Sequence, residues 1–149
     1  ILAFFGIMPK LTDPDESTYQ ACLAALEMVK AVQGFNEDRV RRGDPAFLTG
    51  IAVNTGAVMA GGLGSADRLH YTILGDTVNT TQRLEGLTRQ LLRSTGVLVS
   101  HSVLSSLSDK QSEFHFESMG MQVVKGRADR IQIYQLHPRR EFPPLTVML

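Results

Sequence analysis

Apolar residues recur at helical spacing from about Tyr19 to Arg42: Tyr19, Cys22, Leu23, Leu26, Val29 and Val32, with Gln20, Glu27 and Lys30 opposite them. That stripe predicts an amphipathic helix. Asp15, Ser17 and Thr18 are candidate N-caps before it. Arg39, Arg41 and Arg42 fall in its last turn, where cations complement the helix dipole, and Gly43 ends it. A second stripe, Val78, Thr81, Leu84, Leu87 and Leu91, predicts a helix from Thr77 to about Leu92 with Asp76 as its N-cap.

Between the helices the period changes to two. Phe47, Thr49, Ile51, Val53 and Thr55 share one face, which predicts a half-buried strand over residues 47–55. Asn54-Thr55-Gly56 reads as a turn into a returning strand, 57–60, making a hairpin. Residues 61–67 are glycine-rich and read as a flexible loop, and 70–74 as a strand closed by Gly75-Asp76. Residues 97–100 form a short strand, with Ser100 or Ser102 capping a small helix through Leu107. Antiparallel strands follow at 113–117, 121–125 and 130–136. The opening apolar run, 1–5, is a buried strand stopped by Gly6 and Pro9. It starts at Ile1 without a Met and reads as a strand whose beginning is cut away. Three of the six prolines fall in 137–149, which reads as a Pro-rich C-terminal extension to a domain over 1–136. Helices alternating with hairpin-joined strands imply an α+β fold, a mostly antiparallel sheet with helices on one face.

Composition narrows the class. The 149 residues, 43% hydrophobic, suit a single domain. Fifteen basic against fifteen acidic residues leave no basic excess for a nucleic-acid partner. Cys22 stands alone, so neither an intramolecular disulfide nor a cysteine cluster can form. His70, His101, His115 and His137 never take helical ligand spacing. No apolar run nears the ~20 residues of a membrane span.

Chemistry-bearing residues fall in two places. Asn79 and Arg83 sit one turn apart beside the second apolar stripe, and Gly86 follows on the same side. An amide and a guanidinium so placed suit an anionic oxygen such as a phosphate. On spacing alone, an exposed polar face with Arg83 paired to a nearby Glu is the better reading. Lys125 and Arg127 flank Gly126 at a predicted hairpin tip, where they could grip a polyphosphate or be ordinary solvated charges. The glycines at 61–64 lack a following Lys-Ser/Thr and match no phosphate loop.

Taken together and in order, several runs resemble the catalytic domain of class III adenylate/guanylate cyclases. They are Ile-Leu-Ala-Phe-Phe-Gly6, residues 50–65, Arg68, the run from Tyr71 through Asn79, Arg83-Leu-Glu85, and Val-Lys-Gly126. The resemblance implies a ferredoxin-like βαββαβ core and a head-to-tail homodimer or pseudo-dimer with active sites between subunits. It implies conversion of a nucleoside triphosphate to its 3′,5′-cyclic monophosphate and pyrophosphate with two Mg2+ or Mn2+ ions. By position Asn79 resembles the residue that orients the ribose, Arg83 the one that stabilises charge at the α-phosphate, and Lys125 the one that holds the β- and γ-phosphates. Thr72 takes the place of an Asp or Thr that helps read adenine, which tilts the expected substrate toward ATP; the expected location is the cytoplasm.

The family's two metal-binding aspartates and its base-selecting lysine have no match in this chain. Asp13 and Asp15 follow the first strand and are not promoted to ligands. The expectation is a cyclase domain lacking its first strand or strands, inactive by itself. The alternatives are a non-catalytic cyclase-like dimerisation or regulatory module, and an unrelated ferredoxin-like binding domain.

Overall fold

The computed structural model describes residues 1–7, 12–65, 68–123 and 130–139, apart from the side chains of 63–65 and 68–70. Helix α1 (Pro14–Arg41) begins at Asp13, whose Oδ1 accepts the Asp15 N–H at 2.9 Å. Pro14 supplies a preset φ where no N–H is needed. The expected caps Asp15, Ser17 and Thr18 therefore lie inside the helix. Its far end is a Schellman motif on Gly43, φ +83°. The Gly43 N–H donates to Val40 O and the Asp44 N–H to Arg39 O, both at 3.0 Å. Arg39 closes over the exit: its Nε donates to Pro45 O at 2.9 Å and its guanidinium lies 4.4 Å from the Phe47 ring centroid.

The strands are β1 (Gly50–Val53), β2 (Met59–Ser65), β3 (Arg68–Leu74), β4 (Gly96–Ser100), β5 (Phe114–Val123) and β6 (Arg130–Pro138). Helix α2 (Asp76–Leu91) lies between β3 and β4. Helix α3 (His101–Ser106) and a 3-10 turn (Ser108–Glu113) lie between β4 and β5. One sheet has the order β1-β4-β6-β5, with β1 parallel to β4 and the other pairs antiparallel; β2 and β3 form a separate antiparallel ribbon.

The expected α+β, mostly antiparallel architecture is found, but several details differ. The hairpin expected at Asn54-Thr55-Gly56 does not form. β1 takes the edge of β4, Ile51 opposite Val97, while β2 pairs with β3 from Met59↔Leu74 to Ser65↔Arg68. The glycine-rich stretch read as a loop is thus mostly strand, held by its partner rather than by propensity. β1 begins at Gly50 and not at Phe47. The Phe47 N–H is held by Asn36 Oδ1 (2.8 Å) and the Thr49 N–H by Thr95 Oγ1 (3.2 Å), which removes both from a ladder. Residues 1–5 form no strand; Phe4 instead lies 6.3 Å from the Tyr71 ring. The two strands expected at 113–117 and 121–125 are one strand with a bulge between Ser118 and Gly120, where Gly120 adopts φ +77°. β6 runs past Leu136 because His137 pairs with His115 and Pro138 with Phe114. The rest of the expected extension, 140–149, lies outside the described residues.

Helices cover both faces of the sheet, not one. Val97 and Val99 pack with Cys22, Ala25 and Leu26 of α1, while Leu98 between them packs with Leu84 of α2 and Ile133. Strand alternation separates the two layers, and every residue of β4 is buried as a result. Burial pushes the Cys22 thiol up to about 12, so it serves packing and not thiolate chemistry. Among the described residues no helix is long and apolar enough to cross a membrane.

Glu16 ties α1 to the 3-10 turn: it accepts from Lys110 Nζ and, at 2.7 Å, from Gln20 Nε2. The Lys110 bond, then the Gln20 bond, hold its carboxyl below the ordinary value. A depressed carboxylate stabilises the fold above its unfolded pKa and loses that effect as pH falls through the folded one. Because both side chains are partly exposed, Glu16→Gln is expected to cost under about 1 kcal/mol in urea unfolding near neutrality. The difference from the native chain should close as pH falls below about 4; a deficit that persists in acid would assign the effect to packing.

Candidate active site

α2 carries the candidate residues, and its start is set by Gly75, the N-cap, at φ +147°. An L side chain rarely adopts that angle, so the strand-to-helix corner selects glycine. Asp76, expected as the cap, is instead the first helical residue. The Gly75 carbonyl accepts from the Val78 and Asn79 N–H groups at 3.1 and 3.4 Å, but no side chain caps the helix.

The face that α2 buries is centred on Thr80, Leu84 and Thr88, with Val78, Thr81, Leu87 and Leu91 only half-buried beside it. The stripe expected from apolar spacing is therefore rotated. Gly50 explains the rotation: a Cβ there would meet Thr88 Oγ1 at 1.8 Å, so its absence lets α2 seat on β1 at Thr88.

This seating leaves Asn79 exposed and Arg83, one turn on, half-buried. Among the described residues neither side chain makes a hydrogen bond or ion pair. The expected alternative, Arg83 paired with a Glu, is not what the structure shows. Gly86 is exposed on the same side, with nothing within 4 Å of where its Cβ would stand. An exposed amide and a half-buried guanidinium thus lie one turn apart on the same side of the helix, an arrangement suited to an anion.

Thr72 lies on β3, opposite Gly61 of β2 and half-buried, with the buried Ile73 on the other face of the ribbon. Lys125 lies outside the described residues, as do Gly126 and Arg127. Two surface grooves, of about 650 and 320 Å³, lie elsewhere: one between α1 and β6 near Lys30 and Gln135, one near Leu48 and Arg89. Neither is lined by Asn79, Arg83 or Thr72. Asp13 and Asp15 are engaged locally, Asp13 as the α1 cap and Asp15 Oδ2 with Ser108 Oγ at 2.7 Å.

Asn54, read from sequence as a turn residue, is structurally central. Its Nδ2 donates to Thr77 O at 3.1 Å, and its Oδ1 accepts from Ser100 Oγ at 2.6 Å and Ser102 Oγ at 3.1 Å. Only its position at the end of an alternating strand signalled it, and these partners are far away in the sequence.

The chain matches the model of the "Adenylate and Guanylate cyclase catalytic domain" over residues 3–138 and belongs to that family. It is 34% identical over 116 residues to adenylate cyclase 1 of Rhizobium meliloti (strain 1021), covering 78% of this chain and 17% of that protein. It is 35% identical over 127 residues to an adenylate cyclase of Anabaena cylindrica, covering 82% of this chain and 25% of that protein. The chain therefore spans a quarter or less of these relatives. Among solved structures, the adenylyl cyclase CyaB from P. aeruginosa superposes with a TM-score of 0.76 at 27% identity, over 91% of this chain and 66% of that one.

Proposed function

We propose that this chain forms the ribose- and phosphate-orienting part of a cyclase site that makes a 3′,5′-cyclic nucleotide for signalling. The observation that carries the reading is the Asn79–Arg83 pair, one turn apart on an open helix face with no protein partner among the described residues. In the reaction the ribose 3′-hydroxyl oxygen bonds to the α-phosphorus, its proton leaves, and the bond to the β-phosphate breaks to release pyrophosphate. Asn79 orients the ribose. Arg83 meets the charge that grows on the α-phosphate oxygens, where preorganised donors act most strongly. Lys125 holds the β- and γ-phosphates. Thr72 contacts the base and favours ATP, and the domain works in the cytoplasm. The open side at Gly86 receives a second cyclase domain, which completes the cleft.

Cyclases of this class are expected to use two divalent cations, which activate the attacking hydroxyl and neutralise the phosphates. Among the described residues no three His, Cys, Asp or Glu side chains are grouped to hold a metal. Because the family's two metal-binding aspartates have no match in this sequence, residues 1–149 are expected to bind ATP without turning it over. The full-length protein, given ATP or GTP with magnesium or manganese, is expected to form cyclic AMP faster than cyclic GMP. Nucleotide binding without product would reassign the domain as a non-catalytic module, and no binding at all would overturn the site.

A further inference from the structure

The first turn of α2 must be held still if Asn79 is to orient anything, and its own cap does not hold it. Gly75 offers no side chain, so the usual clamp on a helix N-terminus is missing. Two contacts from the segment after β1 replace it. Thr77 Oγ1 donates to Ala57 O at 2.8 Å, and Asn54 Nδ2 donates to Thr77 O at 3.1 Å. The Thr77 carbonyl also accepts from Thr81 Oγ1 at 2.7 Å, so three residues converge on this turn. Asn54 is in turn fixed from its other end. Its Oδ1 takes the Ser100 and Ser102 hydroxyls, and Ser100 is the last residue of β4, the strand buried on both faces.

We propose that Asn54 is a positioning residue for the cyclase site, setting the first turn of α2 against β4 and thereby the place of Asn79. The inference rests on the proposed reading of Asn79. The amide is the side chain the geometry requires: a donor toward Thr77 O and an acceptor toward two hydroxyls, from one planar group. Asn54→Asp keeps the shape and the acceptor side but turns a carboxylate oxygen toward the Thr77 carbonyl. That change repels the helix turn while leaving the contacts to β4. A displacement on the scale of 1 Å at a reacting group costs on the order of 100-fold in rate.

The test uses the full-length protein with ATP. Asn54→Asp is expected to lower kcat at least tenfold per folded molecule while KM stays within about twofold. Asn79→Ala is expected to lower kcat too, and adding Asn54→Asp to it should cost nothing further, because the positioned group is already gone. Thermal unfolding counts the folded fraction, and Asn54→Ser, which adds no charge, serves if the aspartate variant does not fold. Native turnover in Asn54→Asp alongside a defective Asn79→Ala would overturn the positioning role alone. The same holds if the double variant loses the product of both effects. Native turnover in Asn79→Ala would sink the site reading and this inference with it.

Discussion

Arg83→Ala is expected to lower cyclic-nucleotide formation by about 100- to 1,000-fold, the effect of deleting one preorganised donor from a transition state. Nucleotide affinity should change far less. The contact matters when negative charge builds on the α-phosphate oxygens, and an interaction stronger in the transition state than in the ground state shows in kcat. Arg83 is suited to this because a guanidinium presents its donors in a planar fork that matches phosphate oxygens. Lysine offers a point charge on a flexible stem, so Arg83→Lys should rescue little. The structure also separates this loss from unfolding. Arg83 is half-buried, outside the Thr80–Leu84–Thr88 stripe, and makes no ion pair among the described residues. Its removal should therefore move stability by no more than about 0.5 kcal/mol. Turnover within a few-fold of native, at equal folded fraction, would remove Arg83 from the reaction.

The parts of the fold legible in sequence were those decided locally. α1 was visible because its apolar residues recur at one spacing, and its end because Gly43 can take φ +83°. β4 was visible as the short apolar run Val97-Leu98-Val99, and β6 was read at 130–136. What stayed hidden was decided by partners far away along the chain. The 61–64 glycines look like a loop until β3 pairs with them residue by residue. Residues 47–49 alternate like a strand, yet Asn36 and Thr95 take two of their N–H groups. The pair Asn79 and Arg83 could be read from i, i+4 spacing, but that spacing alone favoured a solvated face. Only the ordered family motifs turned it toward a nucleotide. Asn54 escaped because its role depends on three carbonyl and hydroxyl partners at positions 77, 100 and 102, none of which local pattern connects to it.

Gly50→Ala is expected to be the most disruptive single methyl in the sheet. The added Cβ would stand 1.8 Å from Thr88 Oγ1 and 2.5 Å from Thr88 Cβ. Rotating Thr88 moves the hydroxyl but not its Cβ, so α2 must lift from β1. Thr88 is buried and its Oγ1 donates to Glu85 O at 2.6 Å, which leaves little slack. Overpacking a fitted contact costs about 1–3 kcal/mol, and this one belongs at the upper end. For a chain of this size that is on the order of 10 °C in melting temperature. Leu84 would also draw back from Leu98 and Ile133, the layer that α2 shares with the sheet. The same lift displaces the helix that carries Asn79 and Arg83, so kcat should fall even among molecules that stay folded. Replacing Thr88 by glycine removes the clashing atoms, at a helix cost of about 1 kcal/mol. In that background the penalty of Gly50→Ala should shrink by more than half. An equal penalty with and without the Thr88 side chain, read by urea unfolding, would mean that the close approach of β1 and α2 does not set the helix's seat.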